Sequence, residues 1–471
     1  MHTKSTKKER LKGFFFDLQV QRMRKSWSRF ALGIMFLPLI YVVLLQSDAY
    51  NLNSWKLQIA QWIGSSDASN MLLLQKLAAG TNKRELYQNG ATCISYPDSD
   101  VCVATGEVRF DTKTSTFHLT AGQRLHHSPT SVKPYTRKKD NITMSWISEV
   151  KLQESSATAQ PCQFNHTSPA MVFATSGFAG NFYHDMNDIL LPLFMTAGHF
   201  RSQVHLVVVN IRDPWVLKYR KILSHISRHP LIVSPPRHWR GGEREVHCFP
   251  GAVVGLKYYD NLVCNASDVP DGHSIVDFKK FIHESFSLDF SRTTPTTQRP
   301  SLVLISRART RVLLNEEEIV GVAEEVGFRV TVANRTTTSD VERFAEMVNA
   351  CEVLVGAHGA GLTNFLFLAR EAVLVQVVPW GLDWASETYY GGPSQRMGVK
   401  YVEYKTEVDE SSLYGEYPMD DPVIADPLAI HKMGYQVSRK IFIDGQNVTV
   451  NLSRFRETLV KVFRMVRPEI L

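Results

Sequence analysis

The sequence predicts an α/β protein of two Rossmann-like, doubly wound domains facing a cleft, preceded by a single transmembrane helix. Three observations carry that expectation. Short apolar runs alternate with helical patterns in two successive series, a Thr- and Pro-rich stretch separates the series, and an uncharged apolar run follows a basic amino terminus. A chain of 471 residues with 44% hydrophobic content can bury a substantial core, and its length argues for two domains rather than one.

Residues 1–29 hold nine basic side chains (Lys4, Lys7, Lys8, Arg10, Lys12, Arg22, Arg24, Lys25 and Arg29) against Glu9 and Asp17, and so account for the whole formal charge of +7. The rest of the chain is formally neutral and lacks the broad positive field that phosphate-backbone binding needs, which argues against a nucleic-acid partner. Residues 30–45, FALGIMFLPLIYVVLL, carry no charge, and Gln46 and Ser47 extend the run to about the minimum for one bilayer crossing. With basic residues before this run and none close behind it, residues 1–29 are expected as a cytosolic tail and 30–47 as a type II signal anchor. A cleaved signal peptide is the competing reading, from the small pair Ser47 and Ala49; the long tail and long apolar run argue against it.

Everything after the span is then luminal. Six glycosylation sequons lie there, at Asn141, Asn165, Asn265, Asn334, Asn447 and Asn451, as do all six cysteines. The even cysteine count permits complete pairing and leaves the connectivity open, and Cys351, ahead of an apolar strand, is equally well a buried thiol. No Cys-x-x-Cys or histidine cluster has metal-ligand spacing, so no structural zinc is expected.

Residues 48–90 mix polar residues with short apolar pieces and are expected to be a stem. The first Rossmann-like domain is placed at 91–290, with buried strands at 171–178, 204–210 and 252–257 and a helix at 182–197. Near-continuous apolar strands between helices indicate a parallel sheet covered on both faces. Residues 291–300, SRTTPTTQRP, cannot pack a core and are expected to be the interdomain linker. The second domain, 301–471, has strands at 301–306, 328–333, 352–357 and 372–378 and helices near 315–326, 339–350 and 361–369. A last helix, 452–466, is expected to return to the first domain. Two doubly wound units in succession place a ligand cleft at the carboxyl ends of their strands.

Three constellations fall at such strand ends. In the first, Asn181 is a natural helix cap, which puts His184 in the first turn, where the helix dipole favours the neutral, proton-accepting imidazole. Asp188, four residues on, shares its face and can orient the ring. The bland alternative is a capped helix whose His and Asp satisfy local hydrogen bonds. In the second, Arg307, Arg309 and Arg311 follow the strand SLVLI, where planar guanidiniums suit a diphosphate and can neutralise a departing nucleotide; ordinary surface arginines are the alternative. The third is Gly356-Ala357-His358-Gly359-Ala360-Gly361-Leu362-Thr363-Asn364, a strand-to-helix turn whose glycines allow close backbone approach and whose helix start seats phosphate. Such turns also exist for packing alone. Asp98-Ser99-Asp100 fits an Asp-x-Asp metal pattern, but precedes the first convincing strand and is read as a turn. Trp380, Trp384, Tyr389 and Tyr390 offer stacking faces for a sugar or uracil, although aromatic residues after a core strand more often pack.

Taken together, GNFYHDMNDILLPLF, ISRARTRVLLNEEE and VGAHGAGLTN followed by WASETYYGGPSQRMGVKYVEY resemble glycosyltransferase family 61 over roughly residues 90–460, and more closely its plant branch, which decorates xylan in grass cell walls. The resemblance implies the GT-B architecture, Golgi residence, an inverting mechanism and no bound metal or other cofactor. It puts His184 and Asp188 at the acceptor side of the cleft, with Asp185, which fits the plant branch only, ranked below them. Arg307 and Arg311 fall at the diphosphate, and His358, Gly359, Ala360, Gly361, Thr363 and Asn364 at the nucleotide, with Asn181 also counted toward nucleotide-sugar binding. Ser394 departs from an Ala that related plant sequences prefer. The implied reaction moves a pentose from a UDP-sugar to xylan, first of all arabinofuranose from UDP-arabinofuranose. The alternatives are a xylosyltransferase using UDP-xylose on xylan or N-glycans, and a Golgi glycan-binding scaffold without turnover. Motifs do not separate arabinose from xylose, since a difference of one small group changes pocket energetics by only about 1–3 kcal/mol.

Overall fold

Connection length decides how the first sheet is built. In the computed structural model, which describes residues 66–120, 122–125, 131–154, 161–234, 244–291 and 299–468, ten strands join in this sheet. They are β1 (Ala91–Ser95), β2 (Asp100–Asp111), β3 (Thr116–Leu119), β4 (Ser131–Val132), β5 (Val150–Glu154), β6 (Phe164–Asn165), β7 (Ala170–Ala174), β8 (His205–Val209), β9 (Ile232–Ser234) and β10 (Val246–Val254). The order is β4-β5-β3-β2-β10-β7-β8-β9, with β1 beside β2 and β6 beside β10. The run β10-β7-β8-β9 is parallel, whereas β2 is antiparallel to β1, β3 and β10.

The first half is therefore a mixed sheet, which corrects the expectation of a doubly wound parallel unit. The links at 96–99 and 112–115 are too short for a crossover, and such links can join only antiparallel neighbours. Cys93 and Cys102 stand directly opposite one another in the β1–β2 register and form a disulfide; a second joins Cys162 to Cys248. Cys351 is a buried thiol whose Sγ lies 3.2 Å from the Val348 carbonyl.

The second sheet is parallel throughout: β11 (Ser301–Ile305), β12 (Arg329–Ala333), β13 (Val353–Ala357), β14 (Val373–Val378) and β15 (Lys400–Lys405), in the order β12-β11-β13-β14-β15. Every residue of β13 and β14 is buried, as an apolar run without alternation requires. From β11 the chain goes first to β12 on one side and later to β13 on the other. The order reverses between β11 and β13, where open α/β sheets bind ligands beyond the carboxyl strand ends.

Three further expectations change. Residues 361–369, read as a helix, form instead the 3-10 segment Ala360–Phe367. Among the described residues, helix Leu452–Val466 packs on the second sheet rather than returning to the first half. Its stripe of Phe455, Leu459 and Val462 packs with Leu302, Val355 and Val375 of the second sheet, beside helix Glu316–Val326. The expected stem gives up its last residues to the core, because helix Gly80–Asn89 lies on β1 and buries Leu86. Residues Leu73–Leu471 form one compact unit. The expected tail at 1–29 and span at 30–47, and most of the 291–300 linker, lie outside the described residues; among the described residues no helix is long and apolar enough to cross a membrane.

Candidate active site

The helix expected at 182–197 follows β7 and is built from three pieces: an α turn at Phe182–His184, a π segment at Asp185–Leu190 and an α helix at Leu191–Ala197. Pro192 explains the change of pitch. It has no N–H for the Asp188 carbonyl four residues back, and its ring would clash with that carbonyl. The ladder widens, so that Leu191 N–H donates to the Met186 carbonyl, five residues back. The Asp188 carbonyl is taken up instead by the Thr136 hydroxyl at 2.8 Å, which pins the 135–137 segment against this helix. Asn181 caps the start, its side chain accepting from Tyr183 N–H at 3.1 Å.

That pinning delivers a guanidinium to a buried carboxylate. Asp188 is fully buried, and Arg137 grips it in bidentate fashion, Nη2 to Oδ1 at 2.7 Å and Nε to Oδ2 at 2.9 Å. Asn187 Nδ2 and the Tyr135 hydroxyl add bonds of 2.9 and 3.2 Å. Burial pushes the Asp188 carboxyl up, but the hydrogen bond from His184 and the Arg137 charge outweigh it and hold the group below the ordinary carboxylate range. His184 Nδ1 lies 2.8 Å from Asp188 Oδ2. Arg137 Nη2 also lies 3.4 Å from Nδ1, but a carboxylate only accepts and the shorter contact prevails, so Nδ1 carries the proton. This leaves Nε2 as the nitrogen able to take one. The ring, 21% exposed, stacks on Phe178 at 4.4 Å.

Asp185, expected as a catalytic candidate, has another place. It is fully buried, Oδ1 accepting from Gly180 N–H at 2.8 Å and Trp215 Nε1 at 2.7 Å, and Oδ2 from the Tyr219 hydroxyl at 2.7 Å. Its oxygens anchor the His184 helix to the segment after β8, and burial raises its carboxyl despite these bonds. The Asp98-Ser99-Asp100 turn is likewise occupied, by Lys139 and Lys138.

Across the cleft, Arg307 and Arg311 come off β11 and converge on Gly359, after β13. A Cβ at Gly359 would lie 2.7 Å from Arg307 Nη1 and 3.1 Å from Arg311 Nη1, and its φ of +148° also favours glycine. Arg311 is nearly buried and donates to the His358 carbonyl at 2.8 Å; Arg307 donates to Thr310 O at 2.7 Å. Among the described residues neither guanidinium has a carboxylate within ion-pair distance. Burial, and then the neighbouring Arg307, push Arg311 down to about 10. Burial and both arginines push His358 down to about 3, and Gln376 Nε2 donates to its Nδ1 at 2.8 Å. The turn therefore holds two cations beside a neutral imidazole. Thr363 is buried, and Asn364 Nδ2 reaches Gly361 O at 2.7 Å.

Aromatic residues join the two sides. Tyr183, next to His184, meets Tyr389 edge-on at 5.3 Å and Tyr390 at 6.4 Å, and the Tyr390 hydroxyl donates to Gly359 O at 2.7 Å. Of the other aromatic candidates, Trp380 is half-buried, bonded to Val423 O, and Trp384 is exposed beside Tyr389. A cavity of about 380 Å³ opens where the halves meet, its walls including Phe182, Lys218, Arg307, Arg309, Arg335, Gly361 and Asn364. Among the described residues, no acidic residue lines it.

The structure thus gathers His184 with Asp188, and Arg307 and Arg311 with His358 through Asn364. Asn181 serves as the cap, and Asp185 as an anchor. Sequence reading missed Arg137, hidden in the run Arg137-Lys138-Lys139 that looks like a solvated face; the signal available was that a buried Asp188 needs a cation. It also missed Lys218, Arg335 and Gln376. Of the sequon asparagines, Asn141, Asn165, Asn265, Asn334 and Asn451 are exposed and Asn447 is half-buried.

Comparison with known proteins bears on this arrangement. The chain is 37% identical over 376 residues to an alpha-1,3-arabinosyltransferase of Oryza sativa subsp. japonica, covering 79% of this chain and 64% of that protein. It is 36% identical over 398 residues to a beta-1,2-xylosyltransferase of the same organism, covering 82% and 69%. It is 32% identical over 387 residues to a xylan glycosyltransferase of Arabidopsis thaliana, covering 78% and 77%. The model of a family described as Glycosyltransferase 61 matches residues 182–375. The chain belongs to glycosyltransferase family 61. The span matched to family 61 holds His184, Asp188, Arg307, Arg311 and the Gly359 turn, whereas Arg137 comes from outside it. The chain spans less than two thirds of the length of the arabinosyltransferase.

Proposed function

We propose that this protein is an inverting glycosyltransferase of GT-B arrangement that moves a pentose from a UDP-sugar to xylan, and first of all arabinofuranose from UDP-arabinofuranose to the xylan backbone. The observation that carries the reading is the buried Arg311 guanidinium and the half-buried Arg307 guanidinium over Gly359, without carboxylate partners among the described residues, at the reversal point of the second sheet. A buried cation without an anion is unfavourable, and a diphosphate supplies the missing charge in bidentate form. In this reading His184 Nε2 takes the proton of an acceptor hydroxyl, and Asp188 steadies the ring. The hydroxyl oxygen attacks the anomeric carbon while the bond to the diphosphate breaks, and Arg307 and Arg311 take up the charge that develops. Asp185 and Asp188 are both fully engaged, so neither is available as the carboxylate nucleophile that a retaining, two-step route uses. Anchoring by residues 30–47, with the body in the Golgi lumen, is part of the same proposal, supported by the basic tail, the apolar run and the two disulfides.

The similarity to a beta-1,2-xylosyltransferase keeps UDP-xylose as the second reading. Incubation with UDP-arabinofuranose, UDP-xylose and other UDP-sugars on xylo-oligosaccharides, followed by mass, sugar and linkage analysis, separates the two. Arabinofuranosyl products are expected, xylosyl products would install the second reading, and no transfer from any donor would overturn both. Arg307→Ala or Arg311→Ala should abolish UDP binding in a folded protein; unchanged donor affinity contradicts the assignment.

A further inference from the structure

The cavity between the two sheets has a basic residue on the wall opposite the arginines. Lys218 stands in the helix Asp213–Lys218 that follows β8, and it lines the same cavity as Arg307 and Arg335. Its ammonium lies over two rings, with Nζ 5.0 Å from the centroids of both Phe182 and Tyr219. The nearest acid, Asp185, is 3.9 Å away, and its oxygens already accept from Gly180, Trp215 and Tyr219. The ammonium is therefore preplaced and only weakly countered, at a cavity that no acidic residue lines among the described residues.

We propose that Lys218 is a donor-binding residue that reaches a phosphate oxygen of the nucleoside diphosphate from the first-half wall, so that the bound nucleotide is clamped between the two sheets. The inference rests on the donor reading above. Burial lowers the Lys218 pKa, which fits an ammonium awaiting an anion. A lone surface lysine would be worth little, but a hydrogen bond to a charged partner in a partly dry site changes affinity by tenfold or more.

Titration calorimetry on the full-length protein, with UDP and with uridine as probes, tests this. Lys218→Met keeps an unbranched apolar side chain of similar length and removes the charge. It should weaken UDP binding about tenfold or more and lessen its salt dependence, with uridine binding unchanged, and Lys218→Arg should restore most of the UDP affinity. An equal loss for uridine and UDP, or native UDP affinity in Lys218→Met, would overturn the proposal while Arg307→Ala still reports on the donor site. Should Lys218→Met fail to fold, Lys218→Gln gives the same readout. If the native protein binds no UDP, the donor reading falls and this inference with it.

Discussion

Like charges are normally kept apart in a folded protein, yet the Nη1 atoms of Arg307 and Arg311 both lie within about 3 Å of where one Cβ at Gly359 would sit. Only a residue without that carbon tolerates the arrangement. Gly359→Ala should therefore push the guanidiniums off their places and weaken UDP binding by tenfold or more, with a small loss of melting temperature, as read by calorimetry and thermal denaturation. Arg137 is the residue-scale counterpart beside His184 and Asp188. Arg137→Ala strips a fully buried carboxylate of its cation, and we expect a loss of about 3–5 kcal/mol in denaturant unfolding together with a large drop in turnover. Native stability in that variant would mean that Asp188 is satisfied without Arg137.

At the scale of elements, one proline shapes the candidate base. Pro192 widens the helix, frees the Asp188 carbonyl for Thr136, and so brings the loop carrying Arg137 against the carboxylate that holds His184. In Pro192→Ala a restored N–H can recapture that carbonyl, regularise the helix and shift His184. A displacement of about 1 Å at a reacting group costs on the order of 100-fold in rate. Turnover should fall accordingly, with circular dichroism unchanged or more helical. Undiminished turnover would show that the π segment is dispensable. The helix at 182–197 was legible from its cap and apolar spacing, but its change of pitch was not, because the effect of a proline depends on what replaces the lost bond.

The whole molecule is held together across the cleft as well as around it. Helix Ile275–Ser285 packs on the 3-10 segment Ala360–Phe367, where His283 Nε2 contacts Leu366 O at 2.9 Å, and the fully buried Lys279 reaches Met397 O at 3.4 Å. Burial, with Arg370 nearby, pushes the Lys279 ammonium from 10.5 down to about 7. Between those values the unfolded chain holds a proton that the folded one has released, so stability rises with pH across that window. Lys279→Met should flatten this rise and stabilise the protein most below pH 7, by on the order of a few kcal/mol, in urea unfolding at pH 6 and pH 9. An equally steep pH dependence in the variant would place the titration elsewhere.

Local pattern by itself determined much of this protein: the buried strands β11, β13 and β14 of the parallel sheet, the helices at 316–326, 341–350 and 452–466, and the placing of His184, Arg307, Arg311 and Gly359 in segments that follow strands. Periodicity, caps and glycines act over a few residues, so a linear reading captures them. Tertiary structure alone decided that Arg137 pairs with Asp188 51 residues away, that Lys218 lines the same cavity as Arg307, that Cys162 pairs with Cys248, and that the first sheet is mixed. Each of these is a meeting of distant segments, set by strand register and by which buried charge still lacks a partner, and neither is written in any short stretch of chain.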